Sequence, residues 1–362
     1  MHIVLHTESS HGHGGQEIRT LAETRWLIGH GWHALIVCQP DSPLLAEARA
    51  SSIPVEAVRM GSATDIGATV RLRRLMRERG VSLVHTHSSV DSWLGGIAAK
   101  SLGRPVVRSR HVSIPIRRRR ALVYRLADRI ITSGEGVRAM VIGAGITPEH
   151  VVAISAGVDS TRFHPGVSGK AVRDELGLGA APVVGLVANV RGSKGHNVFL
   201  EAARAVLAVA PETRFLIVGD GVGFDDVKGR VRQLGLEARV RLTGFRRDIP
   251  EVMAALDVLA LPSIRSEAIS QVIPQALAVG TPVVASTVGG SPELIRDSEN
   301  GRLVPPADPA ALADAILALL REPERARAMA RAGQVMVQAR YTIDATMART
   351  TAVYRELLDA GR

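Results

Sequence analysis

The sequence predicts an α/β chain built as two doubly wound domains, each a parallel sheet covered by helices. Three observations predict it. Short β-branched runs alternate with amphipathic stretches along all 362 residues. The runs are apolar nearly throughout, as strands buried on both faces are. One segment, "SAGVDSTRFHPGVSGK" (155–170), is rich in Gly, Ser and Pro, lacks a period and splits the alternation in two.

In chain order, "HIVLHT", "HALIVCQ", "VSLVHTH", "RPVVRSR" and "ADRIITS" read as strands of the first half, and "APVVGLVAN", "TRFLIVGD", "ARVRLTG", "LDVLALPS" and "TPVVAS" as strands of the second. Amphipathic stretches such as 16–29, 65–79 and 197–209 supply the helices between them. The tail, 343–358, reads as a last helix that packs back on the body. Residues 1–160 are expected to form the first domain, with 343–362 returning to it, and 166–340 the second. Two such domains are expected to face each other across a cleft, with ligands bound beyond the carboxyl ends of the strands.

Composition bounds the function. The chain is 46% hydrophobic and too long for one ordinary core. Its one cysteine, Cys38, allows no intrachain disulfide and suits a reducing compartment. The start, "MHIVLHTESS", has no basic n-region or long apolar h-region, and no apolar run reaches the roughly 18–20 residues that span a bilayer. A cytoplasmic chain, at most peripheral on a membrane, is expected. The net charge of +10 favours an anionic partner: nucleic acid, acidic lipid or a phosphorylated small molecule. Aromatics at 3% are too few for the stacking platforms of single-strand nucleic-acid binding, so no nucleic-acid partner is expected.

Five stretches carry candidate chemistry. Glu267 stands at the mouth of a helix expected over 268–279, where free backbone N–H groups attract anions by about 0.3–1 kcal/mol per charge. Ser270 and Gln271 fall in that first turn, so their amides can face a phosphate or a sugar. Gln275, eight residues after Glu267, lies about 80° around the axis and can border the same cleft. A Glu kept there only to cap the helix fits the same pattern. Pro274 inside this helix removes a hydrogen bond and is expected to bend it.

In "ANVRGSKGHN" (188–197), after a strand and before a helix, Arg191 and Lys194 stand close enough to clamp one diphosphate; two solvated loop cations fit equally. "SSHGHGGQE" (9–17), at the first strand-to-helix turn, lets backbone come close to a ligand at Gly14 and Gly15 but lacks the dinucleotide fingerprint. "VGG" (288–290) is a second backbone element after a strand. Histidines gather near strand ends: His6, His11, His13, His85, His87 and His111. Because side chains alternate along a strand, His85 and His87 are expected on opposite faces. With no zinc spacing and no Asp-x-Asp in a suitable setting, no metal site is expected; Asp225 and Asp226 read as capping. His111, ending its strand, is expected to look into the cleft, although a surface imidazole fits as well. Lastly, "HVSIPIRRRRALVYRLADR" (111–129) sets Arg117, Arg118, Arg119, Arg120 and Arg125 among apolar residues. Such a face docks on anionic lipid at about 1 kcal/mol per basic residue, or is simply solvated.

Together these segments resemble the retaining glycosyltransferases of family 4, which have the two-domain GT-B architecture. The most specific part is "PSIRSEAISQVIPQALAVGTPVVAST" with "VGGSPELI" and "ENGRLVPPAD"; "GVDSTRFHP", "GGQE" and "NVRGSKGH" also match. The resemblance implies an EC 2.4 transferase that moves a sugar from a nucleotide-diphosphate sugar to a saccharide or lipid-linked acceptor, without an essential metal or other cofactor, in envelope polysaccharide, lipopolysaccharide or glycolipid synthesis. It implies that Glu267 holds hydroxyls of the transferred sugar, position 275 meets the ribose, and Arg191 and Lys194 neutralise the departing diphosphate. Gly14 and Gly15 supply close backbone approach, His111 stands near the anomeric centre, and Phe245 and Arg246 lie where the family holds the base. Two positions depart from the pattern: Gln275 replaces the second acid, and Asn189 stands where many members carry arginine. Two other readings stay open, a nucleotide-sugar epimerase of the same fold and a non-catalytic nucleotide-sugar-binding protein at a membrane surface.

Overall fold

The structure is a computed structural model that describes residues 2–12, 14–116, 118–265 and 268–360. Its contacts divide into two units, Met1–Gly157 with Ile343–Arg362, and Val158–Thr342.

The first unit holds a seven-stranded parallel sheet among the described residues: β1 (Ile3–Glu8), β2 (His33–Cys38), β3 (Val55–Ala57), β4 (Leu83–Thr86), β5 (Val106–Arg110), β6 (Arg129–Thr132) and β7 (Val151–Ala153), in the spatial order β3-β2-β1-β4-β5-β6-β7. The two-residue alternation of the strands sorts the core into two layers. Leu5, Val84, Val106 and Ile130 face one way, onto the helices Ile66–Glu78 and Ser89–Lys100; Val4, Leu83, Val107 and Ile131 face the other. That second layer is closed by Leu27 of the helix Gly15–Gly29 and by Met347 and Tyr354 of the C-terminal helix Ile343–Ala360. Trp26 Nε1 donates to Asp344 Oδ1 at 2.6 Å and Arg129 pairs with Glu356, so the tail is fastened by polar contacts as well as by its buried stripe.

The second unit holds a six-stranded parallel sheet: β8 (Val183–Val187), β9 (Arg214–Val218), β10 (Val240–Gly244), β11 (Val258–Leu261), β12 (Val283–Ser286) and β13 (Arg302–Val304), in the order β10-β9-β8-β11-β12-β13. Val184, Leu186, Phe215 and Ile217 meet one helix layer and Val183, Val187, Leu216 and Val218 the other. The chain thus builds outward from β8 through β9 to β10, then returns to add β11 on the far side of β8. In the first unit the same reversal falls between β1 and β4. Such switch points leave a crevice at the carboxyl ends of two neighbouring strands whose connections run in opposite directions.

Among the described residues no helix is long and apolar enough to cross a membrane.

Candidate functional site

In the second unit, the expected diphosphate loop and the segment after "LDVLALPS" follow β8 and β11, the two strands that flank the switch point. Beyond β8 the chain makes one 3-10 turn, Gly192–Lys194, then passes through Gly195 into the helix His196–Val209. Gly195 has φ of 74°, and a Cβ there would sit 1.9 Å from Pro262 O. Ile264 N donates to Ser193 O at 2.9 Å. These two contacts hold the loop that carries the cations against the segment that follows β11. Arg191 is exposed, whereas Lys194 is only 8% exposed. His196, next to it, is buried, and burial together with the Lys194 charge lowers its pKa to about 4. A buried ammonium beside a neutral imidazole suits an anion that arrives and leaves.

The segment after β11 departs from expectation. Glu267, with Ser266, lies outside the described residues. The helix expected over 268–279 begins four residues later, as Val272–Val279, so Ser270 and Gln271 precede it rather than form its first turn. Pro274 explains the shift. At the third helical position its missing N–H has no intrahelical partner to lose, so it starts the helix instead of bending it. Gln275 is then one turn in, half-buried, its N–H bonded to Gln271 O at 3.1 Å. Ser270 is buried. The "VGG" turn lies against this segment, since a Cβ on Gly290 would fall 2.2 Å from Ala268 O. Beyond β10, Phe245 is 71% exposed and free to meet a flat partner. Arg246 is not: its guanidinium is shared between Glu175 (2.7 and 2.8 Å) and Asp248 (2.9 Å to Oδ1), and these hydrogen bonds raise its pKa.

In the first unit the Gly-rich loop follows β1 and His87 follows β4, again at the switch point. His13 lies outside the described residues. Gly14 caps the helix Gly15–Gly29 in extended conformation, its N–H bonded to Glu17 Oε2 at 2.8 Å, and space is open above Gly15. Four histidines meet beneath this loop, which overturns the expected separation of His85 from His87. Their ring centroids are 4.4 Å apart. The reason is local: β4 ends at Thr86, so His87 is past the pleat, and its N–H is taken by Thr7 O and the Asp91 carboxylate. His6 Nδ1 meets His87 Nε2 at 2.9 Å, and His87 Nδ1 meets His111 Nε2 at 3.2 Å. His85 is spoken for by Tyr354 Oη at 2.6 Å and Ser109 Oγ at 2.8 Å. Burial is the main cause that lowers the pKa of all four, His6 to about 3, so the rings are neutral. Ligand atoms of His6, His85 and His87 lie within 4.8 Å of one another, which is metal-site geometry, yet both ring nitrogens of His85 and of His87 already have partners.

Beside the rings are two acids that sequence reasoning missed. Glu8, last in β1, accepts from Ser10 N (2.9 Å), Gln16 Nε2 (2.5 Å) and the Ser88 hydroxyl. Asp91 accepts from Ser9 Oγ (2.9 Å), Thr7 Oγ1 (3.0 Å) and the His87 and Ser88 amides (2.9 Å each). The available signal was a carboxylate ending an otherwise buried strand. Burial and the Asp91 charge push Glu8 up to about 7, and burial pushes Asp91 up to about 6. Since Glu8 titrates near 4.5 when unfolded, the unfolded chain releases this proton first as pH rises, and stability falls between about pH 4.5 and 7. Glu8→Gln is expected to remove a loss on the order of 2–3 kcal/mol over that range. Denaturant midpoints at pH 5 and 8 that fall equally in both proteins would reject this assignment.

Of the arginine run, Arg117 lies outside the described residues, and for Arg118, Arg119 and Arg120 the backbone alone is described, in a 3-10 helix, Arg118–Leu126. Val112, Ile114 and Leu122 around it are 42%, 65% and 52% exposed, an apolar set beside the basic one.

Residues 13–162 match the family described as Glycosyltransferase Family 4, and residues 181–322 the one described as Glycosyl transferases group 1. D-inositol 3-phosphate glycosyltransferase of Segniliparus rotundus is 31% identical over 304 residues, 77% of this chain and 67% of that protein. UDP-Gal:alpha-D-GlcNAc-diphosphoundecaprenol alpha-1,3-galactosyltransferase of Escherichia coli is 27% identical over 79% of each chain. The crystal structure of Anabaena Alr3699/HepE in complex with UDP superposes with a TM-score of 0.89 over 98% of this chain and all of that one, at 24% identity, a likeness of fold.

Proposed function

This chain belongs to the family 4, group 1 glycosyltransferases of GT-B fold, and from that premise we propose how its residues divide the work of transferring a sugar from a nucleotide-diphosphate sugar. The observation that carries the reading is the clasp at the β8/β11 switch point, where Gly195 against Pro262 O and Ile264 N on Ser193 O bring two loops to one place.

Lys194 and Arg191 hold the diphosphate and take up the negative charge that grows as it leaves. Lys194, buried, acts where the field is least screened; Arg191 adds a planar donor from solvent, in place of the cation absent at Asn189. The amides around Ser270 and Gln271 add neutral donors. Glu267 holds sugar hydroxyls. Gln275 meets the ribose with its carbonyl as acceptor, without the charge assistance that roughly doubles such a bond. Phe245 takes the base; the Arg246 side chain, committed to Glu175 and Asp248, supports that loop rather than the ligand. In the first unit, His111, Gly14 and Gly15 serve the reacting sugar. Transfer proceeds with retention and without a metal, the barrier falling through placement and stabilisation of the leaving phosphate.

The acceptor is a saccharide or a lipid-linked sugar of an envelope polysaccharide, lipopolysaccharide or glycolipid, made on the cytoplasmic side. The net charge of +10 and the exposed Val112, Ile114 and Leu122 beside the arginine run support peripheral attachment to anionic lipid. Co-sedimentation with anionic vesicles that survives replacement of Arg117, Arg118, Arg119 and Arg120 would remove that part. The function itself is tested with a panel of nucleotide-diphosphate sugars. Release of nucleoside diphosphate is expected only with an acceptor, the new bond keeping the donor's anomeric configuration. Conversion of donor alone into another nucleotide sugar would mark an epimerase, and saturable binding without turnover a non-catalytic protein.

A further inference from the structure

The ring-to-ring contacts of His6, His87 and His111 form a line with two ends, and its proton count is fixed. Three neutral imidazoles carry three N–H groups. The contacts at 2.9 and 3.2 Å each use one. The third proton therefore sits at one end, on His6 Nε2 or on His111 Nδ1. These ends differ. His6 is 0% exposed, and its Nε2 has no hydrogen-bond partner among the described residues. His111 is half-buried, and its ring is the outermost of the three.

An N–H orphaned in the interior forfeits its hydrogen bond, about 1–3 kcal/mol. A bare ring nitrogen there is the lesser loss, since orphaned acceptors are tolerated more often than orphaned N–H groups. Charge does not separate the two ends, and burial does: Arg19, whose Nη2 is also without a partner among the described residues, acts on His6 and on His111 alike, and Arg110 acts on His111 as well. Glu23 pairs with the Arg19 guanidinium at 2.6 Å through Nε alone. All protons then point outward: His6 Nδ1–H donates to His87 Nε2, and His87 Nδ1–H donates to His111 Nε2.

We propose that His87, held by His6, is a positioning residue that fixes His111 as the tautomer with bare, accepting Nε2 and protonated Nδ1. Resting on the glycosyltransfer reading above, this makes His111 a hydrogen-bond donor to an oxygen of the reacting sugar or the departing phosphate, not the base that deprotonates the acceptor hydroxyl. That proton goes to the leaving phosphate.

The test uses the full chain labelled with 15N-histidine, since the 15N shift separates a protonated ring nitrogen from a bare one. The wild-type protein is expected to show His111 protonated at Nδ1 alone. His87→Asn, whose amide nitrogen stands near the place of Nδ1, is expected to keep that spectrum and most of the activity. His87→Leu is expected to lose the single tautomer and about 10²-fold in kcat, with donor affinity little changed. A wild-type His111 protonated at Nε2 overturns the proposal, and so does a His87→Leu protein with wild-type spectrum and kcat. The wild-type spectrum decides even if both variants fail to fold. Should no nucleotide sugar be turned over, the glycosyltransfer reading fails, and the tautomer still stands or falls on the spectrum.

Discussion

Gly195→Ala is expected to unclasp the donor loop. The substitution meets two obstacles at once. Its φ of 74° is a conformation that alanine adopts only with strain, and the new Cβ would lie 1.9 Å from Pro262 O, a backbone atom that cannot rotate away. Neither Lys194 nor the segment after β11 can keep its place while that overlap is relieved. We expect a loss of about 2–4 kcal/mol in stability, and donor binding weakened beyond what the stability loss explains. Denaturant unfolding and donor titration measured together decide it. A variant with wild-type midpoint and wild-type donor affinity would show that the clasp does not shape the site.

Lys194→Ala is expected to remove transfer while leaving the fold. The ammonium is 8% exposed at a strand's carboxyl end, where a charge developing on the leaving diphosphate is poorly screened. Losing one such group lowers kcat by about 10²–10³-fold. Lys194→Arg is expected to restore little, because a planar fork does not fit where a compact charge is enclosed. An internal reporter is available. Burial first and the Lys194 charge second lower the His196 pKa to about 4, so it should rise in the alanine variant by the part that the charge supplies. Unchanged kcat together with an unchanged His196 titration would mean that Lys194 faces away from the chemistry.

Much of this architecture is legible in the sequence, because long apolar strands between amphipathic helices leave few other packings. The three-residue edge strands β3, β7 and β13 are not, since three residues carry no period. Two local departures share a cause: in each, the residue lies just outside the element expected to hold it. His87 stands beyond β4, so alternation no longer applies; Ser270 and Gln271 stand before a helix that Pro274 begins rather than breaks. The buried polar network under the Gly-rich loop was only half visible. Its histidines stand out in the sequence, but Tyr354 joins His85 across 269 residues, and no local pattern announces such a pairing. The bond from Arg246 to Glu175 is hidden for a similar reason, the two lying 71 residues apart.

The most direct measurement is a crystal structure of the protein with a nucleoside diphosphate bound. The pyrophosphate is expected within hydrogen-bond distance of Lys194 Nζ and of amides in the 268–271 segment, with the Arg191 guanidinium turned toward it and the base against Phe245. A diphosphate seated away from the loop between β8 and Gly195 would contradict it.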